Sequence, residues 1–415
     1  MPPMIQIPLN LPDIRVISTE MNEDGDFVIT VESTLSSTTC RQCGREISDL
    51  HAFSDPVRLR HMPIFDHKVW IVIRPKRFRC PTCDGGPTTT QRLSWYELGH
   101  ATTNDFDRFC LRTLVNATIA DTARKLGVTE SLVESVLDRC VSAQVDWSEY
   151  ESLGVLGLDE IALKKGHRDW VVLVTTRLEG AGVAILAVLG DRKKETVAAF
   201  LRSIPERLRG TIERVCCDMY EGFVRAAQEE LPHAKVVVDR FHVARVYATA
   251  ADEVRKRETR RLKKELETEE YAEISGAMWA YRKASAELED DEWFLLARIF
   301  GHSPEMEAAY NLREDLREVF ERELTKSGAK RALRAWSKRA RASGIAELAG
   351  VVKTLERMLD EITSYFLARE TSGFVEGFNT RVKVLKRRSY GLSNLTRLFQ
   401  RLYLDVNGYA LFGLT

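Results

Sequence analysis

Between residues 150 and 243 the chain alternates short apolar runs with amphipathic stretches. Three of the runs stop at an acid: Val155-Leu-Gly-Leu-Asp159, Ile212-Glu-Arg-Val-Cys-Cys-Asp218 and Lys235-Val-Val-Val-Asp239. Short apolar runs bounded by polar turns read as strands, and helical periodicity between them reads as helix. The spacing predicts strands at 155–159, 169–176, 182–190, 212–217 and 235–238, with helices at 193–204, ended by Ile204-Pro205, and at 221–230. Three strands in succession, then two more reached through helices, leave few admissible topologies.

The order implies an antiparallel meander whose first strand is joined in parallel by the fourth, the arrangement of a ribonuclease H-like sheet. Asp159 and Asp218 then become neighbours at one rim. A strand-terminal acid by itself is more often a turn former or a helix cap, so the third acid decides. It lies in Thr371-Ser-Gly-Phe-Val-Glu376-Gly-Phe-Asn379-Thr-Arg381-Val-Lys383-Val-Leu-Lys386-Arg387-Arg388, where Ser372 is the expected cap of a helix. Phe374, Phe378, Val382 and Leu385 fall on one side to pack on the sheet, while Glu376, Asn379, Lys383 and Arg387 recur on another. With Glu376 across the two aspartates, the carboxylates can hold two Mg²⁺ or Mn²⁺ ions about 3.5–4 Å apart, the arrangement suited to in-line displacement at phosphorus. Hard cations prefer such oxygen ligands. Glu160 adjoins Asp159 but should project to the opposite sheet face. Asp239, followed by Arg240 and His242, is the rival second carboxylate or a supporting group. Asn379, Lys383, Lys386, Arg387 and Arg388 are read as DNA contacts. No phosphate-cradling glycine loop and no serine or cysteine elbow competes with this reading.

Four of the eight cysteines fall in two Cys-x-x-Cys pairs, Cys40-Arg-Gln-Cys43 and Cys80-Pro-Thr-Cys83. Two such knuckles complete a closed tetrahedral site for a structural Zn²⁺. The residues between them, including Lys68-Val-Trp-Ile-Val-Ile73, read as strands that fold back and bring the knuckles together. His51, His61 and His67 are alternative ligands that four thiolates make unnecessary. The basic run Arg74, Lys76, Arg77 and Arg79 beside the second knuckle is read as a phosphate contact, where such a run elsewhere is usually a solvated face. Lys plus Arg equals Asp plus Glu at 61 each, so overall charge carries no polyanion signal and any nucleic-acid reading rests on such local clusters. No apolar run is long enough to span a bilayer, the longest being 183–189, and no basic flank leads a secretory core; a cytoplasmic protein with no membrane partner is expected.

From 103 to 145 the pattern is helical. An apolar-faced helix, a turn at Gly127 and a second helix capped by Thr129 have the spacing of a helix-turn-helix. Its second helix carries Glu130, Glu134 and Asp138, an acidic face for a DNA reader, so a packing hairpin is the competing reading. From 244 to 365 charged amphipathic helices dominate, with stripes at Leu312, Leu316 and Val319 and at Leu348, Val352, Leu355, Leu359 and Ile362. Trp279, Trp293 and Trp336 are expected in their core. A final packing helix is expected at 394–404.

Four stretches, taken together and in order, resemble the ISL-three group of bacterial insertion-sequence DDE transposases, which carry a four-cysteine N-terminal finger. They are Gly157-Leu-Asp-Glu-Ile-Ala-Leu-Lys-Lys-Gly-His167; Asp218-Met-Tyr220-Glu-Gly-Phe; Pro232-His-Ala-Lys-Val-Val-Val-Asp239-Arg-Phe-His-Val243; and Val375-Glu376-Gly-Phe-Asn379 with Leu385-Lys-Arg-Arg-Ser-Tyr-Gly391. The resemblance implies a multidomain α/β plus α protein: N-terminal strands (1–36), a zinc-binding β-rich module (37–92), a helix-turn-helix (93–146), and a ribonuclease H-like catalytic domain (147–243 and 366–415) interrupted by an all-helical insertion (244–365). Metal-bound Asp159, Asp218 and Glu376 would cut and join double-stranded DNA at transposon ends and target. The finger and helix-turn-helix would read terminal inverted repeats, and a homo-oligomer of two or more copies would assemble on DNA. A transposase-derived regulator that binds DNA without catalysis is the alternative; a structure-selective nuclease would have no use for the N-terminal modules.

Overall fold

A computed structural model describes residues 7–162, 170–178, 182–369, 373–389, 392 and 394–413, without the side chains of 373–376. Residues 163–169, where the sequence leads one to expect a turn, together with Ser372 and the side chains of Phe374 and Glu376, therefore lie outside the described residues. The chain divides into two compact units, Met1–Ser142 with Leu404–Thr415, and Ala143–Tyr403. No described helix is long and apolar enough to cross a membrane.

The first unit contains β1 (Ile14–Met21), β2 (Phe27–Ser33), β3 (Thr38–Thr39), β4 (Glu46–Ile47), β5 (Asp49–Phe53), β6 (Val57–Ile64), β7 (His67–Ile73), β8 (Lys76–Arg79) and β9 (Thr88–Thr90), followed by α1 (Asn104–Leu114), α2 (Ile119–Leu126) and α3 (Glu130–Cys140). One sheet has the order β1-β2-β7-β6. Strict alternation buries Ile29 and Val31 from β2 and Val69, Ile71 and Ile73 from β7 against Leu93 and Trp95, as a sheet with one covered face requires. The segment between the cysteine pairs does fold back: β5 pairs with β8, and β8 with β9. The expected helix-turn-helix spacing is present. Thr118 and Thr129 accept hydrogen bonds from the Asp121 and Leu132 amides, and Gly127 closes α2 at φ 62°. Arg60, only 4 % exposed, donates to the Val69 and Leu126 carbonyls and lies against the Trp70 and Phe106 rings, so a buried cation ties β7 to α1 and α2. Sequence reading gave it no role.

The second unit is built on a five-stranded sheet of β10 (Gly154–Ala162), β11 (Trp170–Arg177), β12 (Val183–Leu189), β13 (Ile212–Cys217) and β14 (Lys235–Val238), ordered β12-β11-β10-β13-β14. The first three strands are antiparallel and the last two run parallel to β10, as expected. The connecting helices are α4 (Lys194–Ser203), the unforeseen short α5 (Glu206–Arg209) and α6 (Glu221–Glu230). One boundary differs. β10 continues past Asp159 to Ala162, because its antiparallel partner β11 extends the ladder to Trp170, whereas its parallel partner β13 stops opposite Leu158. Asp159 is thus the first residue beyond the parallel ladder, which leaves its side chain at the rim although the strand goes on.

The helices that follow are α7 (Arg240–Glu265), α8 (Thr268–Ile274), α9 (Ala277–Arg282), α10 (Asp290–His302), α11 (Pro304–Glu321), α12 (Lys326–Ala342), α13 (Leu348–Arg357), α14 (Leu359–Ser364), α15 (Gly373–Arg388) and α16 (Leu395–Leu411), the last running beyond its expected end. Trp336 is fully buried; its indole donates to the Leu312 carbonyl at 2.7 Å and its ring meets Tyr247 edge to face. Truncating such a side chain to alanine costs about 3–5 kcal/mol. Trp279 and Trp293 depart from expectation, being 66 % and 41 % exposed. The inner side of the six-residue α9 is already filled by Ala277, Ala280 and Tyr281, so its tryptophan has no interior position.

Candidate metal centres and the acidic rim

Parallel pairing of β13 with β10 and of β14 with β13 sets Cys217 beside both Leu158 and Val238, so Asp159, Asp218 and Asp239 follow the last rungs of three adjacent strands. Neighbouring strands lie about 4.8 Å apart. Each aspartate is oriented locally. The Glu160 amide donates to Asp159 Oδ1 at 2.7 Å, the Tyr220 amide to Asp218 Oδ1 at 2.8 Å, and the Phe241 amide to Asp239 Oδ1 at 2.9 Å. Asp239 is 2 % exposed and caps α7, whereas Asp159 and Asp218 are partly open. Burial lifts the Asp218 carboxyl above its usual range; the charges of Asp159 and Glu160 add to this, while the Tyr220 amide and His242 oppose it. The rim is therefore a concentration of negative charge that a bound cation would relieve. Glu160 is directed elsewhere, pairing with Arg192 at 2.9 Å.

α15 meets this rim. Phe378, Val382 and Leu385 are buried, as their spacing required. Asn379, 7 % exposed, donates through Nδ2 to Asp159 Oδ2, and its Oδ1 is buried with no protein partner. Lys386 donates to the Ala162 carbonyl. Two residues expected on DNA are thus held by the protein itself, whereas Lys383 and Arg387 face solvent and Arg388 is half-buried. Glu376 lies one turn before Asn379 on the same helix, its side chain outside the described residues. Among the described residues, the rim supplies two open carboxylates, a buried third and one orphaned amide oxygen; that donor set fits oxygen-preferring divalent ions.

The cysteines form the second centre. Sulfurs of Cys40, Cys43, Cys80 and Cys83 all lie within 4.8 Å of one another, with Cys40 to Cys83 at 4.0 Å and Cys43 to Cys80 at 3.8 Å. Four thiolates at about 2.3 Å from one ion stand about 3.8 Å apart at tetrahedral angles, so the cage fits zinc as it stands. Each knuckle is closed by an amide of a glycine at positive φ: Gly44 donates to the Cys40 carbonyl and Gly86 to the Cys83 carbonyl. The crowded thiols diverge. The Thr82 hydroxyl pulls Cys80 down to about 6, while neighbouring Cys80 and Cys43 push Cys83 up to about 12. Four thiolates without a cation would repel one another. The three histidines are engaged elsewhere: His51 with Arg79, His61 with Thr103 and His67 with the Gly25 carbonyl. In the basic run Arg74, Arg77 and Arg79 are exposed, while Lys76 is tethered to the Leu35 carbonyl at 2.8 Å.

Comparison with known proteins covers most of the chain. The family model for ISL3-type DDE proteins, described as "Transposase", matches residues 156–402. The transposase for insertion sequence element IS1001 of Bordetella parapertussis is 27 % identical over 378 residues, covering 90 % of each chain. The transposase for insertion sequence element IS1557 of Mycobacterium tuberculosis is 24 % identical over 401 residues, covering 89 % of this chain and 86 % of that one. Among solved structures, the Drosophila P element transposase strand transfer complex aligns with a TM-score of 0.42 and 14 % identity over 75 % of this chain and 94 % of that chain.

Proposed function

The chain belongs to the ISL3 family of transposases, and we propose that it binds the terminal inverted repeats of an insertion sequence and cuts and joins DNA there with a ribonuclease H-like domain. The observation that carries this reading is the Asn379 to Asp159 hydrogen bond across 220 residues, which brings the Glu376-bearing helix onto the aspartate rim. Asp159, Asp218 and Glu376 would hold two Mg²⁺ or Mn²⁺ ions. When bound, these activate the attacking water or 3′-hydroxyl and stabilise the departing 3′-oxygen. Asn379 orients Asp159, and Asp239 and His242 stiffen and balance the rim from β14 and α7. The four cysteines hold a structural Zn²⁺.

End recognition falls to the zinc module and the helical hairpin. The exposed face of α3 carries Glu130, Glu134 and Asp138, which repel phosphate, so exposed Arg74, Arg77 and Arg79 are the backbone contacts. Lys383 and Arg387 serve the DNA at the cut. Transposon ends come in pairs, so the working complex contains at least two copies.

The deciding experiment incubates the full-length protein with the DNA flanking its own coding sequence, in Mg²⁺ and in chelator, and maps the strand ends. Mg²⁺-dependent breaks at the inverted repeats support the reading. Binding at those repeats without breaks would make the protein a regulator. Asn379→Ala removes one of the two hydrogen bonds that orient Asp159, and loss of a group that orients a ligand costs about 10–100-fold in metal affinity; a titration of cleavage against Mg²⁺ should show that rightward shift with end binding unchanged.

A further inference from the structure

A cavity of about 700 Å³ opens between α7, α9 and α11, starting at Arg240 and Phe241, directly after rim residue Asp239. Its size lies within the roughly 300–1,000 Å³ typical of small-molecule sites. Its lining combines aromatic rings with six basic side chains against four acidic ones. Four of the six are already ion-paired: Lys256 and Arg282 share Asp252, Arg313 pairs with Glu314 and Arg317 with Glu321. Among the described residues Arg240 and Arg245 have no carboxylate partner, and both stand at the end nearest the rim. Arg240 is stacked, its guanidinium carbon 5.2 Å from the Phe241 ring centre and 5.8 Å from that of Tyr365, with a buried Nε that bonds to nothing. Phe241 is 48 % exposed and shares one face of α7 with Arg245 and Ala248, where the alanine leaves the groove wide. An exposed ring flanked by two guanidinium groups without carboxylate partners offers a stacking surface and a phosphate clamp together.

We propose that this cavity receives one unpaired nucleotide of the DNA strand being cut, its base stacked on Phe241 and its phosphate held by Arg240 and Arg245. The inference rests on the strand-cutting function proposed above. Asp239 links the two sites directly, and successive nucleotides in a strand are about 3.4 Å apart along the helix axis, so a base one or two steps from a phosphate at the rim reaches the groove by rotating out of the duplex. Such rotation is easiest where the base is mispaired.

The test measures affinity of the full-length protein for end DNA in Ca²⁺, with a single mismatch scanned across the two positions on either side of the cut. Wild type should bind one mismatched duplex about tenfold tighter than paired DNA, in line with the few kcal/mol that opening a pair costs. Phe241→Ala and Arg245→Ala, both at exposed side chains, should lose that preference while keeping affinity for paired DNA, and Phe241→Trp should retain it. Absence of a preference at every position, or its survival in Phe241→Ala, overturns the proposal even when Mg²⁺-dependent cleavage by wild type shows the underlying function intact. No binding of wild type to any end DNA overturns both. Calorimetric binding of a free nucleoside triphosphate that Phe241→Ala abolishes, with no mismatch preference, assigns the cavity to a soluble nucleotide instead.

Discussion

Asp218→Asn should lower strand cleavage at the transposon ends by at least about 10³-fold, equivalent to about 4 kcal/mol of lost transition-state stabilisation, with end binding unchanged within about twofold. The substitution preserves shape. The Tyr220 amide can still donate to the side-chain oxygen that now meets it at 2.8 Å, so the turn after β13 survives. What disappears is the negative charge that a hard cation requires. Asp159→Asn should abolish cleavage to a similar degree, and it also sets two amide donors face to face where Asn379 now donates to the carboxylate. Thermal melting separates chemistry from folding. Burial and two like charges raise the Asp218 carboxyl above its unfolded value, so its ionised form opposes folding in full above the raised value, and the opposition fades as the pH falls through the raised value to the unfolded one. Asp218→Asn removes the opposition: without divalent ions the variant should melt no lower than wild type at neutral pH. Mg²⁺ should raise the wild-type melting temperature, by the equivalent of about 2.7 kcal/mol at a hundredfold excess over Kd, and leave the variant unmoved. Full cleavage by both variants would remove the metal assignment.

The second large effect concerns zinc. Cys40→Ser or Cys80→Ser should empty the cage and unravel the segment around it. The local core consists of Cys40, Ile47, Phe78 and Cys80 with Cys83 against it, too little apolar surface to hold β3, β4, β5, β8 and β9 together. Apparent binding energies of structural zinc reach about 10–16 kcal/mol in finger peptides, so an ion held there would dominate the stability of this piece. Elemental analysis should find one zinc per wild-type chain and a small fraction of that in either variant. Protease should cut within 37–92, and end affinity should fall by about tenfold or more as the arginines of β8 and its approach lose their frame. The four-stranded sheet has its own core of Ile29, Val31, Leu59, Val69 and Ile71 and should remain. An unchanged zinc content would refute the cage.

Much of the architecture was legible because its signals are local. The Thr118 and Thr129 caps and the Gly127 turn announce the helical hairpin within about a dozen residues, and the alternation of β2 and β7 announces a one-faced sheet. The repeated Cys-x-x-Cys spacing specified the cage, whose sulfurs stand at tetrahedral distances. Strand order at the second sheet followed from connection rules. Local signals failed where several faces competed for few interior positions. Trp279 and Trp293 have the same apolar character as Trp336, yet only the last found room inside.

By itself the sequence determined most of the strands and helices, which four sulfurs meet and which acids stand at the rim of the central sheet, since backbone period, turn chemistry and ligand spacing act over a few residues. Only the tertiary structure decided which polar groups of α15 serve the protein and which serve solvent. Asn379 and Lys383 differ by one helical turn, but the docking of Phe378, Val382 and Leu385 on the sheet sets the rotation of the helix, turning Asn379 into Asp159 and Lys383 outward. That rotation depends on packing across more than 200 residues of chain, a distance over which no local pattern carries information.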